Sequence, residues 1–345
     1  MRVLLMNYSQ GGFGFFLLGG LVLLLATGKV ERVPVAANQS VNNSFTGEGL
    51  AQKEGEKTPA PAVKLVPRER RAMSNGRGLS HPGIYVYAFG SFAAGVFDLV
   101  WGDFDAAHQP LQAWGDNIPG ATVFAYSTGL WMVAGAVALL LRRSERVGAS
   151  ALAAIYFIFA LFWLPRFYTA PHYLGFRIPV YIGVFSGVGS QLIAFAAGML
   201  LWASLEQGDS SRSRAVLAMR WIFGISAIGF GLAHLTDIKD NLKYVPNWLP
   251  PGAEFWVIVT GVCFVLAGIA ILTGILEVVA AWLLGLMFLV FNLTILPTYI
   301  FAHPRNHAAW GGNAYNLAAV GSSWILAEVI ASGRRSGMTR TMVSR

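Results

Sequence analysis

Eight apolar stretches, each long enough to cross a lipid bilayer, leave this chain few ways to fold. A spanning helix needs about 20 mostly apolar residues. The segments at roughly 84–102, 121–141, 147–168, 178–203, 216–235, 253–275, 277–301 and 312–332 each supply them. Hydrocarbon offers no partner for a free backbone N–H or C=O, so each stretch must close its own hydrogen bonds as an α-helix. The expectation is an all-α, polytopic membrane protein in contact with the lipid bilayer. Only 12% of the 345 residues are charged, about half the share of a soluble domain.

The chain carries 25 Lys and Arg against 17 Asp and Glu. The basic residues cluster at the ends of apolar segments, which marks topology and gives no reason to expect nucleic acid. With residue 83 on the cytoplasmic side, that side gathers Arg142, Arg143, Arg146, Arg212, Arg214, Arg220, Arg334, Arg335, Arg340 and Arg345. The other side receives Arg166, Arg177, Lys239, Lys243 and Arg305. Both ends of the eight-helix unit, and so the C-terminus with its basic tail at 334–345, are expected in the cytoplasm. The single cysteine, Cys263, excludes thiol–disulfide chemistry by this chain alone.

Ahead of these spans lie an apolar segment, "GGFGFFLLGGLVLLLATG" at 11–28, and a polar, basic linker at 29–82. The linker is too rich in Pro, Gly and Ser to bury a core and reads as disordered. A cleaved signal peptide would invert every later loop, and "VAANQS" is a poor cleavage site. Two readings stay open: an extra N-terminal spanning helix within 1–28, or an upstream extension preceding a start at Met73.

The eight spans fall into two groups of four, with short matches recurring in order. "FGSFAAG" (89–95) matches "FGISAIG" (223–229), and "PGA" (119–121) recurs at 251–253. "TGLWMVAG" (128–135) is echoed by "TGVCFVLAG" (260–268), and "FWLPRFY" (162–168) by "TILPTYI" (294–300). The offsets are 134, 132, 132 and 132 residues, which sets Val100 opposite His234. Two tandem four-helix transmembrane bundles are expected, at 83–205 and 215–333, related by an axis along the membrane normal.

The second bundle carries a recognisable order of motifs. "GLAHLTD" (231–237) is followed by an outer loop "VPNWLPPGAEFW" (245–256), then "TGVCFVLAGIAILTG", then a helix ending "LPTYIF", and finally "NLAAVGSSWILAE" (316–328). This resembles the DoxX-like family of bacterial integral membrane proteins, well over 216–330 and as a diverged copy over 85–203. The resemblance implies four helices per unit, the bacterial inner (plasma) membrane, and a role as a membrane subunit of a quinone-linked oxidoreductase system. It supplies no catalytic motif to carry over.

Five histidines, His108, His172, His234, His303 and His307, map to the outer side, together with Asp98, Asp103, Asp105, Asp116, Asp237 and Asp240. Histidine beside a carboxylate can pass protons near neutral pH. His303 and His307 are four apart, but Pro304 and the glycines after Trp310 place "FAHPRNHAAWGGN" (301–313) in a loop. Neither His-Glu-x-x-His nor Cys-x-x-Cys occurs, so no metal site is expected. A haem would need facing axial ligands at depth, which His234 and His303 do not clearly supply.

Polar groups at span edges are costly unless paired. Asp98, His234 and Asp237 end the first helices of the two copies, Asn292 lies in the seventh span and Glu328 in the last. A cavity between the halves, formed by Asp98, Trp101, His234, Asp237, Trp248, His303, His307 and Trp310, would suit a quinone head group or a proton relay; an ion pair joining the bundles is the bland alternative.

Three function classes remain: a quinone-linked oxidoreductase subunit meeting partner redox subunits, a non-catalytic membrane scaffold or assembly protein, and a small-solute transporter. No phosphate-cradling or hydrolase motif occurs. Substrate and oligomeric state are not encoded in any motif.

Overall fold

In the computed structural model, residues 82–105, 108, 120–205, 209–295, 299–301 and 303–343 are described. The N-terminal apolar segment and all of the linker except Pro82 lie outside them. Among the described residues eight helices are long and apolar enough to cross a membrane. They are α1 (Pro82–Trp101), α2 (Ala121–Leu140), α3 (Glu145–Trp163), α4 (Ile178–Ser204), α5 (Asp209–Thr236), α6 (Ala253–Thr273), α7 (Glu277–Ile295) and α8 (His307–Val343). The chain is therefore an all-helical, multi-pass membrane protein.

Several boundaries differ from the hydropathy reading, among them the start of α5, at Asp209 rather than 216, and the end of α7, at Ile295 rather than 301. The third span stops at Trp163 and a separate short helix, Arg166–Leu174, follows Pro165. The last helix begins at His307, five residues earlier than expected, and runs on through the basic tail. Asn306 sets that start, because its Oδ1 accepts the Ala309 N–H at 3.2 Å and caps the first turn. Gly311 and Gly312, read in the sequence as loop formers, lie inside the helix.

Consecutive helices pack side by side: α1 on α2, α2 on α3, α3 on α4, α5 on α6, α6 on α7 and α7 on α8. Across the two groups α1 packs on α8, α4 on α5, and α4 on α8. Exchanging the first four helices for the last four, in order, turns each of these pairings into another of the same set.

Small residues make the approaches close, as expected where lipid supplies no hydrophobic drive for helix association. A β-carbon on Gly95 of α1 would stand 2.6 Å from the Gly129 carbonyl of α2, and one on Gly129 would stand 2.8 Å from the Gly95 carbonyl. In α5 and α6, a β-carbon on Gly231 would stand 2.6 Å from the Gly261 carbonyl. Gly90 and Gly321 let α1 and α8 touch backbone to backbone. Large side chains such as Phe89, Val100 and Phe124 point outward, where lipid replaces water.

Candidate functional site

The buried face of α1 ends in Asp98, whose side chain is fully enclosed. Gly102, with φ +62°, ends the helix, its N–H bonded back to the Asp98 carbonyl at 3.0 Å. Only glycine adopts this left-handed conformation freely, and here it terminates the helix as a C′ residue. The chain turns back, so that the Asp105 N–H reaches Asp98 Oδ1 at 3.1 Å and His108 Nδ1 donates to Asp98 Oδ2 at 3.3 Å. The other approach comes from the start of α8: His307 Nε2 stands 3.5 Å from Asp98 Oδ1, within ion-pair reach but long for a hydrogen bond.

Aromatic rings fix the two imidazoles. His108 stacks on Phe159 at 4.1 Å, and His307 stacks on Trp101 at 4.9 Å with the rings nearly parallel. Phe97 joins Trp101 to Trp310, with centroids 6.1 and 5.4 Å away, and Trp310 donates from Nε1 to the Pro304 carbonyl at 3.0 Å. Asp98, Asp105 and His108 are buried, whereas His307, Trp101, Phe97 and Trp310 are half-buried and form the outward edge. The Asp105 carboxyl lies against Gly311, where a β-carbon would meet its Cγ at 2.4 Å. The glycine that reads as a loop former is there to admit a carboxylate.

Burial pushes the His108 imidazole toward its neutral form. The hydrogen bond and charge of Asp98, with the charge of Asp105, more than offset this, so its pKa lies above the ordinary histidine value. The arrangement can hold and exchange a proton among one carboxylate and two imidazoles. Both histidines aim at Asp98 itself, and among the described residues no group of three His, Cys, Asp or Glu is arranged to hold a metal ion.

Of the eight residues singled out in the sequence, Asp98, Trp101, His307 and Trp310 come together. The others stand in the second half or at its rim. His234 is buried, donates from Nδ1 to the Phe230 carbonyl at 2.8 Å, and lies beside Phe264 and Phe291. Asp237 precedes the short helix Ile238–Asn241, its carboxyl pushed upward by burial and then by Asp240. Trp248 is exposed on the loop between α5 and α6. His303 is exposed beside Tyr299, in a shallow depression with Pro304, Arg305 and Asn306.

Asp105 and His108 complete the cluster, although the sequence does not mark them as cavity residues. Their signal is "WGDFD", in which a glycine directly after the last apolar residue reverses the chain over the helix end.

The DoxX family model matches residues 215–297, bearing out the resemblance seen in the second bundle. No curated protein and no solved structure matches the chain.

Proposed function

We propose that this chain is a membrane subunit of a quinone-linked oxidoreductase system, with the Asp98–His108–His307 cluster as its proton-handling site. The observation that carries the reading is a buried carboxylate held between two histidines, one of which is half-buried and stacked on Trp101 at the edge. With His307 Nε2 turned toward Asp98, Nδ1 is the nitrogen left to accept a proton from a ligand. A flat aromatic head group would find Trp101, Phe97 and Trp310 on that edge; on its oxidation the electrons would leave to a partner redox subunit and the proton would pass through His307 to the carboxylate.

The same reading includes a duplication: the chain is two four-helix units, at 83–205 and 215–333, of which the first supplies Asp98 and His108 to the acid–base cluster and the second supplies His307. The symmetry of the helix pairings and the recurrence of the glycine contacts support it. The positions at a common 136-residue separation differ in chemistry. Asp98, Asp105 and His108 correspond to His234, Asn241 and Tyr244, a set without a carboxylate. The DoxX resemblance supports placement in the bacterial inner membrane, and the charge distribution supports a cytoplasmic C-terminus with the cluster on the outer side.

A second reading, a non-catalytic scaffold, is favoured by the complete enclosure of Asp98. The deciding experiment is to purify the chain in detergent, record its visible spectrum with and without dithionite, and extract it for quinone. One quinone per chain, lost in His307→Ala, supports the redox reading. A quinone-free wild type overturns it in favour of the scaffold.

A further inference from the structure

The turn that joins α2 to α3 carries more positive charge than it balances from within. It is tight: the Ser144 N–H donates to the Leu141 carbonyl at 2.9 Å, and the Ser144 hydroxyl folds back onto the Ala138 carbonyl of α2 at 3.0 Å. Arg142 and Arg143 occupy its tip, both exposed, and Arg146 follows in the first turn of α3. Glu145 is the one acid of this stretch, set against three arginines. Among the described residues, neither Arg142 nor Arg143 stands within ion-pair distance of a carboxylate. Arg146 lies over the Trp202 ring of α4 at 5.0 Å.

The second half shows what this corner needs for packing alone. At a separation of 132 residues, Arg142, Arg143, Glu145 and Arg146 correspond to Gly274, Ile275, Glu277 and Val278, and Trp202 to Arg334. The acid is kept, but its arginines come from other helices, Arg220 of α5 at 2.9 Å and Arg334 of α8 at 2.7 Å. Both also donate to carbonyls at the end of α6 and its turn. That corner is closed by satisfied cations, and its tip is apolar, with Ile275 and Leu276 exposed. The first half places its cations on the tip instead, so closing the corner does not account for Arg142 and Arg143.

What meets these cations is set by their neighbours. Leu130, Val137 and Leu141 are exposed and follow one another at helical spacing down α2, so the lipid-facing surface of that helix runs directly into the turn. The tip thus sits where hydrocarbon gives way to head groups. There an arginine lays its stem along hydrocarbon, and its planar fork can pair with two oxygens of a phosphate. We propose that the α2–α3 turn binds an anionic phospholipid, its phosphate held by Arg142 and Arg143 and its acyl chains lying on Leu141 and Val137. The site lies at the opposite end of the membrane from Asp98 and involves no quinone, so it is independent of the redox reading.

The test titrates the full chain in detergent with phosphatidylglycerol or phosphatidylcholine of equal chain length and counts bound lipid by native mass spectrometry. Each arginine at a membrane surface strengthens binding to anionic lipid about fivefold, so the wild type is expected to prefer phosphatidylglycerol by about 25-fold. The double variant Arg142→Gln, Arg143→Gln is expected to lose that preference. Arg305→Gln, which removes one charge from an exposed loop at the other end of the membrane, should bind as the wild type does. Should the double variant not fold, Arg143→Gln alone takes its place, with a loss of about fivefold. Equal binding of the two lipids by the wild type overturns the proposal, as arginines that only orient the chain during insertion would give. An equal loss in Arg305→Gln overturns it in favour of net charge, and displacement of the lipid by soluble glycerol phosphate in favour of a free-anion site. A dimer that the double variant loses would make the turn an interface between copies and overturn it likewise.

Discussion

Asp98 and His234 occupy the same place in two helix pairs. The β-carbon of Asp98 lies 3.3 Å from where a side chain on Gly129 would begin, and that of His234 lies 3.0 Å from the same point on Gly261. Their neighbours Leu99 and Leu235 repeat the pattern at 3.1 and 2.9 Å. One position holds an acceptor for its surroundings and the other a donor to its own helix.

That difference predicts unequal consequences of mutation. Asp98→Ala strands the Asp105 N–H and leaves the His108 imidazole buried without its hydrogen-bonded carboxylate. Breaking a buried pair in this way costs about 3–5 kcal/mol. His234→Phe removes the bond to the Phe230 carbonyl, which already accepts within the helix, and leaves the ring beside Phe264 and Phe291, so a smaller loss is expected. Chemical unfolding of both variants in detergent compares the two, and equal losses would contradict the assignment.

The Asp98–His108 pair also predicts a pH dependence. His108 has a folded-state pKa above its unfolded value of 6.5. Its contribution is therefore fully present below about pH 6.5 and is lost as pH rises through the folded value. The loss amounts to about 1.4 kcal/mol for every pH unit that separates the two values. Thermal unfolding between pH 5.5 and 9 is expected to show the wild type losing stability toward the alkaline end. His108→Gln should flatten that slope, and an unchanged slope would place the titration elsewhere.

The spans were legible because lipid imposes a single length and a single hydrogen-bonding solution on each apolar run, and α2 and α6 fall where hydropathy puts them. The register of the repeat was less so. Matching letters set Val100 opposite His234, whereas glycine contacts pair His234 with Asp98, two residues away. The letters shared by α1 and α5 include residues that merely suit lipid, while only close contact fixes register. Within the site, Asp98 and His307 were visible as polar groups at span edges. His108 was not, because the turn at Gly102 rather than any helical spacing brings it to Asp98.

The glycine contacts can be tested by adding one methyl group. At Gly95 or Gly231 the new carbon would meet a backbone carbonyl at 2.6 Å, and a backbone cannot swing aside as a side chain can. Overpacking of this kind costs about 1–3 kcal/mol. Gly183→Ala on α4, where nothing lies within 4 Å, should leave stability unchanged. Melting curves of the three alanine variants, measured side by side, would contradict the packing if Gly183→Ala were the most damaging.

At the opposite end of the membrane from the acid–base cluster, Glu277 joins three helices. It opens α7 in a nearly buried position, with Arg220 of α5 at 2.9 Å and Arg334 of α8 at 2.7 Å. Arg220 also donates to the Ile271 and Leu272 carbonyls at the end of α6, at 3.1 and 3.3 Å, and Arg334 to the Gly274 carbonyl at 3.2 Å. The carboxylate sits where the α7 dipole favours it, and the guanidinium groups where α6 leaves carbonyls unpaired. Glu277→Gln keeps the shape and removes the charge, so about 1.5–3 kcal/mol should be lost from the charge-assisted bonds. Arg334 is more than half exposed, and Arg334→Ala should cost less than Arg220→Ala. Unfolding in detergent at low and high salt separates the two. The Arg334 effect should shrink with salt while the Arg220 effect persists, and the reverse order would mean that the exposed arginine carries the clamp.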